Sequence, residues 1–184
     1  MTASTVKSLA ITAIETSPRD FTSKINGGIL FPIQDFMTVE TTSIDEIGDI
    51  ILLGKIPSNA IIRDLTLYST DMDTNGTPTL AADIGLYYSG IGGTQGRLGL
   101  TSGVVVDADC FATAVLLTAA NTTGTDVRFE ATGATLDEVF KEAWDLAGLT
   151  SDPGGFFYFG LTMTAAAATA AAGKVALVGS FVVS

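Results

Sequence analysis

Histidine is absent from the 184-residue chain, and its absence removes the most common general base and a common metal ligand. Neither a Ser-His-Asp nor a Cys-His arrangement can be built, and zinc held by one cysteine without histidine is close to excluded. A pair of carboxylates or a lysine remains for catalysis. Because the chain has twenty acidic residues, such pairs arise by chance. The sequence therefore gives no reason to expect an enzyme.

Cysteine and basic residues are also scarce. Cys110 is the only cysteine, so no intrachain disulfide can form, which fits folding in a reducing cytoplasm. Nine scattered basic residues stand against twenty acidic ones, for a net charge of −11. Nucleic-acid binding depends on clustered Lys and Arg, so no nucleic-acid partner is expected. No apolar run reaches the length of a membrane span or a signal peptide, so we expect no membrane partner.

The N-terminal region differs in pattern from the rest. Residues 1–34 are rich in Ser and Thr, and their apolar residues are irregularly spaced. One interpretation is an extended arm that needs a partner surface; the other is a first strand plus a loop of the same domain. Under the arm interpretation, residues 35–184 form the folded domain, and the interface residues are Leu9, Ile11, Phe21, Ile25 and Phe31.

The stretch "STDMDTNGTPTL" (69–80) resembles a calcium loop. Asp71, Asp73 and Asn75 occupy its first, third and fifth positions. The twelfth position, which needs a bidentate carboxylate, is Ala82, and the flanks have strand patterns where a calcium loop needs helices. We therefore interpret the stretch as a strand–turn–strand connection and predict no metal site. A surface ion held by Asp71, Asp73 and Asp83 is the alternative. The glycine-rich "GIGGTQGRLG" (90–99) has neither a GxGxxG spacing nor a P-loop lysine, which indicates a flexible loop.

Period-two alternation predicts most of the remaining elements as strands. "DIILLGKI" (49–56) is a continuous apolar run typical of a strand buried on both sides, and "DVRFEA" (126–131) predicts a further strand. Three strands have a clear apolar face. These faces are Leu80, Ala82, Ile84, Leu86 and Tyr88; Phe157, Phe159, Leu161 and Met163; and Val175, Leu177, Phe181 and Val183.

One segment has a helical period. In "TLDEVFKEAWDLAGL" (135–149), Thr135 and Glu138 form a capping-box pattern, and Gly148 stands where a helix ends. The pattern predicts an amphipathic helix over about 135–148, packed through Leu136, Val139, Phe140 and Trp144. The alanine-rich 165–173 is too short for a stable isolated helix and lies between two strands, so it is predicted to be a hairpin loop. Eight or nine strands with one helix predict an antiparallel β-sandwich of jelly-roll type.

Several of these motifs resemble a family of structural proteins from tailed bacteriophages, the capsid decoration, cement or head-auxiliary proteins. The resemblance covers about residues 48–184. It rests on the runs "LLGKIP", "LYSTD", "ADIGLYY", "WDLAGLTSDPGG" and "LTMTAAAATAAAGKVAL". It implies a non-enzymatic virion protein that is assembled in the host cytoplasm. It further implies binding to the major capsid protein on the outer capsid surface as a homo-oligomer, a trimer.

Two other functions are weighed against this one. A carbohydrate- or cell-surface-binding jelly-roll module of a head fibre or tail would group exposed aromatics in a groove, with Tyr87, Tyr88 and Tyr158 as candidates. A carboxylate-based glycan hydrolase or lyase would need two carboxyls facing each other across a cleft. The residue spacing gives no sign of such a pair.

Overall fold

The structure, a computed structural model, describes residues 29–90 and 103–183. All residues before Ile29 and all but the first residue of the glycine-rich 90–99 therefore lie outside the described residues. Within the described ranges the chain forms eight β-strands: β1 Leu30–Val39, β2 Ile50–Pro57, β3 Ala60–Ser69, β4 Ala81–Tyr88, β5 Val105–Leu116, β6 Asn121–Asp126, β7 Phe156–Ala165 and β8 Gly173–Val183. The helical segments are 3-10 turns at Thr41–Ser43 and Leu136–Phe140 and one α-helical turn, α1, at Ala143–Leu146.

The strands form two four-stranded antiparallel sheets, as the predicted β-sandwich requires. Sheet A has the order β1-β8-β3-β6, and sheet B has the order β2-β7-β4-β5. The first strand pairs with the eighth, the second with the seventh, the third with the sixth and the fourth with the fifth. We interpret this order as jelly-roll winding, in which one long antiparallel ribbon wraps around the core.

The core lies between the two sheets and is formed by the predicted alternation. In β7, Phe157, Phe159, Leu161 and Met163 are fully buried. In β4, the predicted face from Leu80 to Leu86 belongs to the same core cluster, and Tyr88 packs against it. In β8, Val175, Leu177, Phe181 and Val183 share the predicted face; the first three are buried, and Val183 at the end of the strand is 36% exposed.

Two strand predictions are wrong in detail. β2 is not buried on both sides: Ile50 is 47% exposed, since one face of each sheet of a two-sheet sandwich points away from the core. The strand predicted at 126–131 does not form. The strand observed in this region, β6, covers Asn121–Asp126, so it ends where the predicted strand begins, and it pairs with β3. β1 begins at Leu30, so residues 30–34 form the start of a first strand, which pairs with β8.

The amphipathic helix predicted over about 135–148 is broken into two turns. The backbone is extended at Lys141 and Glu142, which end the 3-10 turn and precede α1. The Trp144 N–H donates to the Ser58 carbonyl, 3.1 Å away, so the chain is tied to the turn between β2 and β3. The Thr135 hydroxyl donates to the Glu138 carboxylate, so it does not cap a backbone N–H of the turn as the predicted capping box requires.

The predicted packing of this segment is therefore only partly right. Leu136 is 87% exposed and Phe140 is 57% exposed, whereas Ala143 and Ala147 are buried. Trp144 is half-buried against the core, and its indole N–H donates to the Glu142 carboxylate.

The alanine-rich connection after β7 is not a hairpin loop. β7 belongs to sheet B and β8 to sheet A, and the two strands do not pair with each other. The connection crosses from one sheet to the other and forms no helix, which agrees with the short length of the alanine run. Its backbone instead contacts the loop between β3 and β4.

Candidate interaction surfaces

Phe31 is the one predicted interface residue that the structure describes. It lies on β1, is 41% exposed, and stacks on Phe181 of β8 with ring centroids 5.4 Å apart. Its position opposite Phe181 is fixed by the β1–β8 register. Leu9, Ile11, Phe21 and Ile25 lie outside the described residues, so the structure brings none of them to Phe31.

The calcium-like loop connects β3 of sheet A to β4 of sheet B. Its polar side chains accept hydrogen bonds from the loop's own backbone. The Asp73 N–H donates to Asp71, the Asn75 N–H donates to Asp73, and the Thr77 N–H donates to Asn75. Each carboxylate or amide oxygen thus closes a turn with the residue two positions on. The predicted strand–turn–strand connection is confirmed, but it joins two sheets.

Asp73 is the central residue of this loop. Its side chain is buried, with 1% of the residue exposed. One carboxylate oxygen accepts from Thr79 N–H at 2.7 Å and Leu80 N–H at 3.2 Å. Across the sandwich end, Ala168 N–H (3.0 Å) and Thr169 N–H (2.9 Å) donate to the same carboxylate. One side chain therefore fastens the β3–β4 loop to the β7–β8 connection.

The electrostatics of Asp73 follow from these contacts. Burial by itself raises the pKa of the carboxyl, but the backbone hydrogen bonds from Thr169, Thr79, Ala168 and Leu80 outweigh it and hold the pKa well below its ordinary value of 3.8. The ring of N–H donors already supplies the positive partial charge that a cation would bring. Asp73 is thus a structural anion.

The three carboxylates of the alternative ion site are not arranged to share an ion. Asp83 lies on β4 and accepts from the Ala114 N–H at 2.7 Å, at a point where Ala114 has a positive φ of 51°. Across residues 29–90 and 103–183, no group of three acidic or cysteine side chains is placed to hold a metal ion.

A small cavity of about 170 Å³ contains the nearest approach to a catalytic constellation. Asp107, Asp109 and Cys110 line it from β5, and Glu138 lines it from the 3-10 turn Leu136–Phe140. Burial raises the pKa of Asp107. Burial also raises the pKa of the Cys110 thiol, which stays protonated and is a poor nucleophile.

The three tyrosines do not form an aromatic groove. Tyr87 is fully buried, lies over Gly160 and shares a hydrogen bond with the Thr162 hydroxyl. Tyr88 packs against the core residue Phe157 with ring centroids 5.9 Å apart. Tyr158 alone lines an open groove, which it shares with side chains of β1 and β2. A carbohydrate platform would need these rings together at the surface.

The outer face of sheet A carries the exposed apolar surface that sequence reasoning missed. The β-sheet register places Phe36, Ala176 and Tyr68 in one row across β1, β8 and β3. We define the sheet A apolar face as this row together with the solvent-accessible apolar residues beside it on the same side of β1 and β8; Val182 and Ile61, also on this side, are buried and are not included. Its members are Leu30, Pro32, Phe36, Tyr68, Ala176 and Val178.

This face is open to solvent. Leu30 is 60% exposed, Phe36 is 68% exposed and Val178 is 38% exposed, and a groove of about 400 Å³ runs beside Phe36 and Tyr68. A solvated face of an antiparallel sheet is ordinarily polar. The signal was present in "KVALVGSFVV", in which Ala176, Val178 and Val182 at even positions add an apolar component to the face opposite the core-facing odd positions.

None of the helical segments in the described ranges is long and apolar enough to cross a membrane. The sequence matches no protein-family model and none of the curated proteins.

Two solved chains have a similar structure. A chain of the cyanophage Pam1 capsid asymmetric unit matches with a TM-score of 0.57 and 18% identity, over 86% of this chain and 88% of that one. A chain from the capsid of Ralstonia phage GP4 matches with a TM-score of 0.56 and 25% identity, over 85% and 86%. The resemblance to structural proteins of phage virions is thus confirmed at the level of phage capsid chains.

Proposed function

We propose that this chain is a non-enzymatic structural protein of a phage virion, a decoration or cement protein on the outer capsid surface. The observation that carries the proposal is its likeness to chains of two phage capsids over more than four fifths of its length. The major capsid protein is the partner, and the protein binds it as a homo-oligomer, a trimer. Assembly takes place in the host cytoplasm.

The mechanism is linkage. A protein that binds the assembled shell across several subunits, and not the dissociated subunits, shifts the equilibrium toward the assembled lattice. A trimer strengthens this effect, because each bound subunit raises the effective concentration of the next at its site. A two-sheet β-sandwich suits such a role.

The N-terminal segment contributes to adhesion in this proposal. Leu9, Ile11, Phe21, Ile25 and Phe31 are its anchors, pressed into a neighbouring copy or the shell beneath. Phe31 supports this in part, since it stays 41% exposed even though it stacks on Phe181.

Purified capsids from which this protein has been removed provide the test. Added protein should bind at saturating, symmetry-related positions and raise the temperature at which the shell dissociates. Cryo-electron microscopy of the decorated particles should show its density on the exterior. Density in the continuous shell or on the tail, or saturation without any change in shell stability, would contradict the decoration role.

A further inference from the structure

The groove on the sheet A apolar face is open, and no other described part of the domain fills it. Its Phe36–Ala176–Tyr68 row lies at the far end of β1, while the chain enters β1 at Leu30. Six residues of extended strand separate Leu30 from Phe36, which is about 20 Å. The groove beside the row is therefore remote from the point where residues 1–28 join the domain.

Residues 1–28 are long enough to reach another copy. From Leu30 back to Ile11 an extended chain spans at most about 60 Å, whereas a domain of this size is about 40 Å across. To reach the groove of its own domain, the segment would have to reverse direction directly before β1. To reach a neighbour it can continue outward along the line of β1.

Charge and apolarity complement each other between the segment and the domain. Residues 1–28 hold three of the nine basic residues and two of the twenty acidic ones, so the segment carries +1 and the rest of the chain carries −12. The segment also offers Leu9 and Ile11, which are two positions apart and would fall on one side of the chain if it binds in an extended conformation. An apolar, weakly basic segment would thus meet an apolar groove on a strongly acidic domain, and the basic Lys174 at the groove leaves the apolar contact as the main term there.

We propose that residues 1–28 of one copy bind the sheet A apolar face of a second copy, with Leu9 and Ile11 against the Phe36–Ala176–Tyr68 row. The inference deepens the proposed function, because it names the surface on which the N-terminal segment anchors. A head-to-tail contact of this kind closes into a ring when the rotation between copies divides a full turn, and a three-membered ring is one such solution.

The first experiment measures self-association of the full-length protein in solution by sedimentation velocity, without capsids. Phe36→Asp should weaken association by more than about tenfold, because the contact would bury an unpaired carboxylate. Ile11→Asp should do the same. The matched controls are Leu116→Asp, at a 70% exposed residue on sheet B, and Thr12→Asp in the segment; both should associate like wild type.

Mixing distinguishes exchange between copies from folding back. The Phe36→Asp protein keeps an intact segment, and the Ile11→Asp protein keeps an intact face, so the mixture should form a mixed dimer that neither forms alone. If neither variant associates and the mixture fails too, the segment does not bridge copies and the proposal is overturned. Val178→Asp serves as a second face variant, and thermal melting confirms that each variant is folded.

Other outcomes also decide the matter. A wild-type protein that stays monomeric at all concentrations, or a Leu116→Asp effect as large as that of Phe36→Asp, overturns the proposal. Binding of the same proteins to stripped capsids is measured separately. The decoration role can therefore stand when the contact between copies fails, and the contact can stand when capsid binding fails.

Discussion

Replacing Asp73 by alanine removes one carboxylate that holds two distant loops together. Thr79 and Leu80 donate to it from one side, and Ala168 and Thr169 donate from the other, at 2.7–3.2 Å. A hydrogen bond to a charged group contributes about 1.5–3 kcal/mol, and buried donors left without an acceptor add a desolvation cost. Because water can reach part of the connection after β7, we expect a loss of about 3–5 kcal/mol, a large share of a typical stability of 5–15 kcal/mol.

The matched control is Asp71→Ala, two positions away in the same loop. Asp71 is exposed and accepts a single backbone hydrogen bond, from Asp73 at 3.2 Å, so its loss should cost less than about 1 kcal/mol. Urea denaturation with linear extrapolation measures both free energies of unfolding. If the two variants lose the same stability to within 1 kcal/mol, the idea that Asp73 fastens the loops is wrong.

The same reasoning fixes a pH dependence. The folded-state pKa of Asp73 is depressed, so its contribution is present above the ordinary value of 3.8 and is lost as the pH falls below that value toward the depressed pKa. Wild type should therefore lose more stability than Asp73→Ala between neutral pH and about pH 3. Parallel stability curves for the two proteins would refute the charge-based part of the explanation.

Three further predictions concern other parts of the molecule. Gly160→Ala should destabilise by about 1–3 kcal/mol in thermal melts, because a Cβ there would lie 2.2 Å from the buried Tyr87 ring, whereas Gly76→Ala, which meets nothing within 4 Å, should be near neutral. Phe157→Ala should lower the free energy of unfolding by about 3–5 kcal/mol, whereas Leu136→Ala should lower it by less than about 0.5 kcal/mol. A loss at Leu136 as large as that at Phe157 would support the continuous, packed helix that the sequence predicts over 135–148. Calcium or EDTA should leave the melting temperature of wild type unchanged, and a calcium-dependent rise that Asp71→Ala abolishes would show that the loop binds the ion.

The strands were predictable because a strand with one buried face has an apolar residue at every second position. In β7 the four large apolar residues at period two are the four that are fully buried. This information is local, so no knowledge of the partner strand is needed. The same alternation places Val183 on the inner face of β8, although its side chain at the strand end stays 36% exposed.

The length of the helix was over-predicted because two separate turns, Leu136–Phe140 and Ala143–Leu146, fit the same spacing of apolar residues as one continuous helix. Ala143 and Ala147 are buried as the pattern requires, but the contact from Trp144 to Ser58 starts a new turn after an extended Lys141–Glu142. Tertiary contacts override a weak local preference, and nothing in the 135–148 sequence reports the position of the β2–β3 turn.

The connection after β7 shows where the sequence lacks the necessary information. Neighbouring strands along a chain most often pair, which made a hairpin the natural prediction. In this topology β7 and β8 belong to opposite sheets, so the alanine-rich stretch spans the edge of the sandwich, and its backbone needs acceptors that its own side chains cannot supply. Asp73 supplies them from 95 positions away, in the loop that spans the same edge from β3 to β4. The residues that resembled a metal site are thus explained by the winding of the fold. A carboxylate placed between two sheet-crossing loops collects their unpaired N–H groups, and the small alanine side chains leave that backbone accessible to it.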